Sequence, residues 1–135
     1  MKKSNQFDIQ KLNSIIKSIL NIKKCFELHD INNSNNLKND EIAQAACTQF
    51  ITNIYENKKK IQNETYNKLI ELNKIKLAGA RHIASHDYDS VNFMVIYSIC
   101  KQLIKEEVLS ELRGIICEIE INEKEESEKN NEESD

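Results

Sequence analysis

Phe7-Asp8-Ile9-Gln10-Lys11-Leu12-Asn13-Ser14-Ile15-Ile16-Lys17-Ser18-Ile19-Leu20-Asn21-Ile22-Lys23-Lys24-Cys25-Phe26-Glu27-Leu28 has apolar residues recurring at Ile9, Leu12, Ile15, Ile16, Ile19, Leu20 and Phe26, three and four positions apart. Lys11, Ser18, Asn21 and Lys24 occupy the other side. That period puts one apolar stripe on a helix, whereas a strand would alternate every second residue. The rest of the chain permits nothing but more helices. Its 135 residues include no proline and two glycines, Gly79 and Gly114, while sheets need turn residues every ~8 to 12 positions. An all-α fold follows.

Working outward, Asp30-Ile31-Asn32-Asn33-Ser34-Asn35-Asn36 is rich in side chains that hydrogen-bond their own backbone and reads as a connection. Asn39 or Asp40 caps a second helix, expected from Glu41 to Ile61, with Ile42, Ala46, Phe50, Ile54 and Ile61 inward. Lys58, Lys59 and Lys60 suit the negative end of its dipole. A third helix, from about Thr65, carries Leu69, Ile70, Leu72, Ile75, Leu77, Ala80, Ile83 and Ala84, an arc wide enough to need cover on two sides. Beyond Tyr88-Asp89-Ser90, Asn92 is placed to cap a last helix, with Val91 stapled to Ile96. Its stripe of Ile96, Ile99, Cys100, Leu103, Ile104, Val108, Leu112, Ile115 and Ile119 ends near Glu120. Four helices with short connections predict an antiparallel four-helix bundle.

The formal charge of −3 is unevenly spread. Residues 122–135 hold seven acids against Lys124 and Lys129, a composition too polar to offset its ordering entropy. The expected organisation is therefore one bundle domain over 1–121 and a disordered acidic tail over 122–135. Two distant glycines cannot build a Gly-rich phosphate loop, which removes the nucleotide-hydrolysing classes that depend on one. No apolar run approaches the ~18 residues of a membrane span and no signal-peptide core follows Met1, so the expected location is cytoplasmic, with no membrane contact. Cys25, Cys47, Cys100 and Cys117 lack Cys-x-x-Cys spacing and read as small buried hydrophobes. Tyr55, Tyr66 and Tyr97 read as core or half-buried aromatics, and His29 as a helix C-terminal group.

Lysines outnumber arginines 17 to 2, which makes each arginine informative. Arg81-His82-Ile83-Ala84-Ser85-His86-Asp87-Tyr88 concentrates one of the two arginines and two of the three histidines. Such a cluster suits a helix end, where cations meet the last carbonyls, and it also suits a phosphate site. His82 and His86 stand four apart, a spacing that suits a shared metal, yet no third ligand stands in helical register with them, and no metal site is expected.

Arg81, four residues, His86, one residue, Tyr88 reproduces the Arg-x4-His-x-Tyr motif, and with it the chain resembles the HepT toxins of the HEPN superfamily. The likeness extends over about residues 7 to 119, taking in the motif at the close of a third helix, a capped final helix and an alanine-containing second helix at Ala45-Ala46-Cys47. His82 stands where the family usually has Asn. Ile54-Tyr55-Glu56-Asn57 stands where it often has Gly-Glu-Ala, so Glu56 and His82 are candidates for lining the site.

The resemblance implies a HEPN-type bundle and a metal-independent endoribonuclease acting on RNA without a cofactor. In such a reaction the 2′-hydroxyl attacks the neighbouring phosphorus. His86, with an ordinary pKa of about 6.5, suits the proton transfer, and Arg81, permanently charged and forked, suits the phosphoryl oxygens. Five residues on a straight helix set these side chains roughly 140° apart, and the resemblance implies a homodimer in which two chains compose one cleft. It further implies the toxin role in a type VII toxin–antitoxin system, with an MntA-like nucleotidyltransferase antitoxin transferring AMP from ATP to Tyr88. The alternatives are a catalytically silent binding module that partners a nucleotidyltransferase, and a plain helical interaction protein.

Overall fold

The computed structural model describes residues 2–77 and 93–133. Among these residues every regular element is helical, as expected: α1 (Lys3–Leu28), α2 (Ser34–Lys38), α3 (Glu41–Lys59), α4 (Asn63–Tyr66), α5 (Ile70–Asn73), α6 (Phe93–Leu103) and α7 (Glu106–Glu133). None of the described helices is long and apolar enough to cross a membrane.

The spine is the quoted stretch. Leu12, Ile15, Ile19 and Ile22 of α1 are fully buried, each worth about 1.5–3 kcal/mol relative to exposure. α1 packs most extensively on α3 and next on α7. Contacts at both ends make α1 and α3 antiparallel. At one end His29 pairs with Asp40 at 2.8 Å. At the other, the buried Asp8 carboxylate accepts from the Gln62 N–H at 3.2 Å.

Between them the chain reverses at Asp30, the one described non-glycine residue with positive φ (52°). The Ile31 N–H donates to the Phe26 carbonyl at 2.9 Å and Ile31 is buried, the hydrogen bond and apolar contact of a Schellman close. The expected connection itself holds the short α2, capped by Asn33, whose side chain accepts from the Asn36 N–H at 2.8 Å. Asp40 caps α3, accepting from the Ala43 N–H at 2.9 Å.

Several sequence expectations are corrected. The buried face of α3 is Ala43, Cys47, Ile51 and Ile54. Ile42 is 72% exposed and Ala46 and Phe50 are only half-buried against the core, so the expected stripe lies about one residue off the buried one, while Ile54 and Ile61 are buried as expected. The third helix does not run straight from Thr65. Bonds from Lys68 N–H to the Thr65 carbonyl and from Leu69 N–H to the Tyr66 carbonyl, 3.0 and 3.1 Å, close tight turns and divide the segment into α4 and α5. The division lets Thr65, Leu69, Leu72, Ile75 and Leu77 all reach the interior, so this part of the wide arc is satisfied within the chain. Of the arc's described residues only Ile70 stays out, 63% exposed.

The last helix is interrupted at Ile104-Lys105, which re-phases the stripe so that Leu103 before the break and Val108, Leu109 and Leu112 after it are all buried. It then runs past Glu120, where its end was expected, to Glu133, so residues 122–133 continue the same helix. Contacts with the start of α1 support them: Asn5 donates to Glu123, and Lys2 pairs with Glu126 at 3.8 Å. Glu and Lys are also good helix formers.

Three of the four cysteines are buried as expected, and Cys117 is exposed instead, because it lies off the Leu112–Ile115–Ile119 stripe of α7. Tyr97 is half-buried against the core, stacked on Phe26 with centroids 5.6 Å apart, its hydroxyl donating to the Asn32 carbonyl at 2.9 Å.

Candidate functional site

Arg81, His82, His86 and Tyr88 lie outside the described residues, as do the expected Asn92 cap and the second half of the third helix. What the structure describes is the frame on both sides: the approach through α5 to Leu77, and the departure along α6 from Phe93.

The approach is held from across the bundle. α5 has no side-chain cap of its own. The Glu111 carboxylate of α7 does that work, accepting from the Glu71 N–H at 2.9 and 3.1 Å and from the Leu72 N–H at 3.2 Å. A carboxylate there satisfies two of the helix's orphan donors and suits the positive end of its dipole. Lys68 of the same segment pairs with Glu118 at 2.8 Å. Two points on α7 thereby fix the segment that leads to the motif.

Among the described residues two clefts open at this frame. One, of about 470 Å³, is lined by Tyr55, Lys58, Lys59, Tyr66, Ile75, Lys76 and Leu77. The other, of about 520 Å³, is lined by Lys74, Lys76, Met94, Val95, Ser98, Ile99 and Gln102. Lys76 belongs to both, and among the described residues every charged side chain in either lining is a lysine. The first cleft has ordered cations: the Lys58 ammonium lies 5.3 Å from the Tyr66 ring centroid and that of Lys59 lies 5.0 Å from Tyr55, both within cation–π range. Partial burial lowers the Lys58 pKa from its ordinary value, as expected where an ammonium loses water.

Glu56 is half-buried on α3, one residue from Tyr55 of this wall. Sequence reasoning assigned Lys58 and Lys59 to the helix dipole alone and did not single out Lys76. The signal was there in the lysines placed three and four residues after Tyr55, since residues at that spacing are neighbours on a helix. Among the described residues no group of three or more His, Cys, Asp or Glu side chains is arranged to hold a metal ion.

The whole frame lies inside a family match. The model of the HepT-like family, described as Ribonuclease HepT-like, matches residues 15–115. That span runs from the middle of α1 into α7 and includes Arg81, His86 and Tyr88. It covers more than half of the chain, and the protein belongs to this family. The function attached to it at family level is that of a ribonuclease. Searches among curated proteins and among solved structures give no match.

Proposed function

We propose that this chain is a metal-independent endoribonuclease, the toxin of a type VII HepT/MntA-like pair, with Arg81 and His86 as its catalytic residues. The observation that carries the reading is the complete Arg81-x4-His86-x-Tyr88 motif inside the region matched to the HepT-like ribonuclease family. The chemistry of the two residues agrees with it. His86 accepts the proton of the 2′-hydroxyl as that oxygen attacks phosphorus. The bond to the 5′-oxygen breaks, the leaving oxygen takes up a proton, and a 2′,3′-cyclic phosphate remains. Arg81 holds the phosphoryl oxygens, where a forked permanent cation is most useful as negative charge builds. His82 and Glu56 line the same cleft.

Two chains compose the working site in this proposal. The roughly 140° between side chains five apart on a straight helix favours it, as does the exposure of Met94 and Val95 immediately after the motif segment. An MntA-like nucleotidyltransferase neutralises the enzyme by moving AMP from ATP to the Tyr88 hydroxyl, releasing pyrophosphate. The added nucleotide brings negative charge and bulk beside Arg81, where it competes with substrate phosphate.

The test is expression in a bacterial host of wild type beside His86→Ala, followed by co-expression with the transferase and mass spectrometry of Tyr88. Growth arrest with wild type alone, and an AMP adduct on Tyr88 after co-expression, are the expected results. Equal growth of both strains sinks the nuclease reading, and an unmodified Tyr88 in a neutralised strain sinks the AMP transfer. His82, where the family usually has Asn, favours a second reading, a silent binding module for a nucleotidyltransferase. That reading predicts no arrest but a stable complex with the transferase.

A further inference from the structure

The cleft between α3 and the α4–α5 segment has a composition that the motif chemistry does not use. Among the described residues its charged groups are three lysines, its walls carry two tyrosine rings, and its floor is the buried pair Ile75 and Leu77. Three cations, with no acid among the described residues of the lining, select an anion. Aromatic rings beside an apolar floor select a flat, weakly polar group. One ligand class carries both within a few ångström, a nucleotide, and about 470 Å³ lies within the ~300–1,000 Å³ of small-ligand sites.

The cations are also placed in advance. Lys58 and Lys59 rest over Tyr66 and Tyr55, so less side-chain freedom is lost when a phosphate arrives. Position along the chain makes the ligand part of a strand. The cleft ends at Leu77, and four residues span at most about 14 Å, so a strand whose phosphate sits at Arg81 reaches the cleft within a few nucleotides.

We propose that the Tyr55–Lys58–Lys59–Tyr66–Lys76 cleft is a subsite that holds one flanking nucleotide of single-stranded RNA, its phosphate on the lysines and its base against the tyrosine and Ile75–Leu77 surfaces. This deepens the ribonuclease reading and rests on it for the identity of the strand. Recognition of this kind is tolerant of sequence, because every base offers an aromatic face and the phosphate is common to all. The subsite therefore sets how long a substrate must be, and not which base is cut.

The probe is a fluorescein-labelled 2′-O-methyl RNA octamer, which lacks the attacking hydroxyl and cannot be cleaved. Its binding is followed by anisotropy over a salt series. The Lys58→Met/Lys76→Met pair keeps the aliphatic stems and removes two cations. It should weaken binding at least tenfold and flatten the dependence of log K on log salt by about 0.7 for each phosphate that is no longer neutralised. Tyr66→Leu should weaken binding by roughly 5- to 150-fold, the range expected when one base stack is removed, with little change in salt slope.

Lys23→Met/Lys24→Met removes the same charge from exposed positions at the far end of α1 and should leave affinity within twofold. Unchanged affinity and slope in the Lys58/Lys76 pair overturns the subsite, as does an equal loss in the Lys23/Lys24 control. Failure of the two proposals is separable. If wild type cleaves no RNA but the cleft variants alone lose the octamer, the ribonuclease reading falls and the subsite stands. If wild type cleaves RNA and the cleft variants bind normally, the subsite falls alone.

Discussion

Asp40 does two jobs with one carboxylate: it caps α3 through the Ala43 N–H and holds the His29 ring. The cap bond first, and the His29 bond second, keep its pKa below the ordinary 3.8. A carboxyl lowered in the folded state contributes stability that is complete above that ordinary value and is lost as pH falls through the lowered one. Melting temperature should therefore drop on acidification below about pH 4, and Asp40→Asn, which can still cap, should show a shallower drop over the same interval. Equal slopes in an acid titration followed by circular dichroism would remove Asp40 from the account. The cysteines give a second prediction. Burial and the neighbouring Cys47 push the Cys25 thiol up to about 12, and Cys47 is also raised, chiefly by its hydrogen bond with Cys100 and by burial. Only thiolate reacts readily, and Cys100 is fully buried, so a thiol reagent at pH 8 should label Cys117 quickly and the others only on unfolding. Rapid labelling of more than one thiol in the native protein contradicts this packing. The Asp40 cap was legible in the sequence, because Asp before an apolar-periodic run is a start signal. The exposure of Cys117 and Ile42 was not, because a shift of one position on a helix turns a side chain by about 100°, and composition does not fix that phase.

At the scale of elements, the long stripes of α1 and α6–α7 were legible and the breaks were not. No proline or glycine marks Ile104-Lys105, and the break there serves tertiary burial of both half-stripes. Glu106 and Glu107, acids in the first turn of α7, were the one local hint of a new start. The α4–α5 division had no local signal of its own, since it depends on Glu111, some forty positions away in the chain. Glu111→Ala should cost about 1–2 kcal/mol of stability, as expected when a cap is removed. It should lower RNA cleavage more than its effect on melting predicts, because the segment it holds leads to Arg81. Leu112→Ala, one position on and fully buried, should cost ~2–5 kcal/mol through the cavity it leaves, with activity following stability. Comparing the two by denaturant titration and initial cleavage rates separates positioning from packing. Proportional loss in both variants would mean that Glu111 only stabilises.

For the whole molecule, the all-α bundle followed from the absence of proline, the two glycines and the helical period, and the family from the Arg81–Tyr88 motif together with the helices around it. The lysine–tyrosine cleft was legible only in its α3 part, Tyr55 with Lys58 and Lys59, because the rest comes from α4 and the approach to Leu77, which no sequence window contains together with it. A two-chain site predicts the mass of a dimer in light scattering at micromolar concentration, and a monomer at that concentration would remove the composite cleft. The central claim is that Arg81 and His86 cleave RNA without a metal. Its most direct test is the cleavage rate of a labelled single-stranded RNA by purified wild type and His86→Ala, each with EDTA present and with matched helicity. The account predicts cleavage by wild type in EDTA, ending in a 2′,3′-cyclic phosphate, and a loss of roughly 10²- to 10⁴-fold in His86→Ala, the usual worth of a general base. Equal rates for the two proteins, or activity that disappears with EDTA and returns with added zinc, would contradict it.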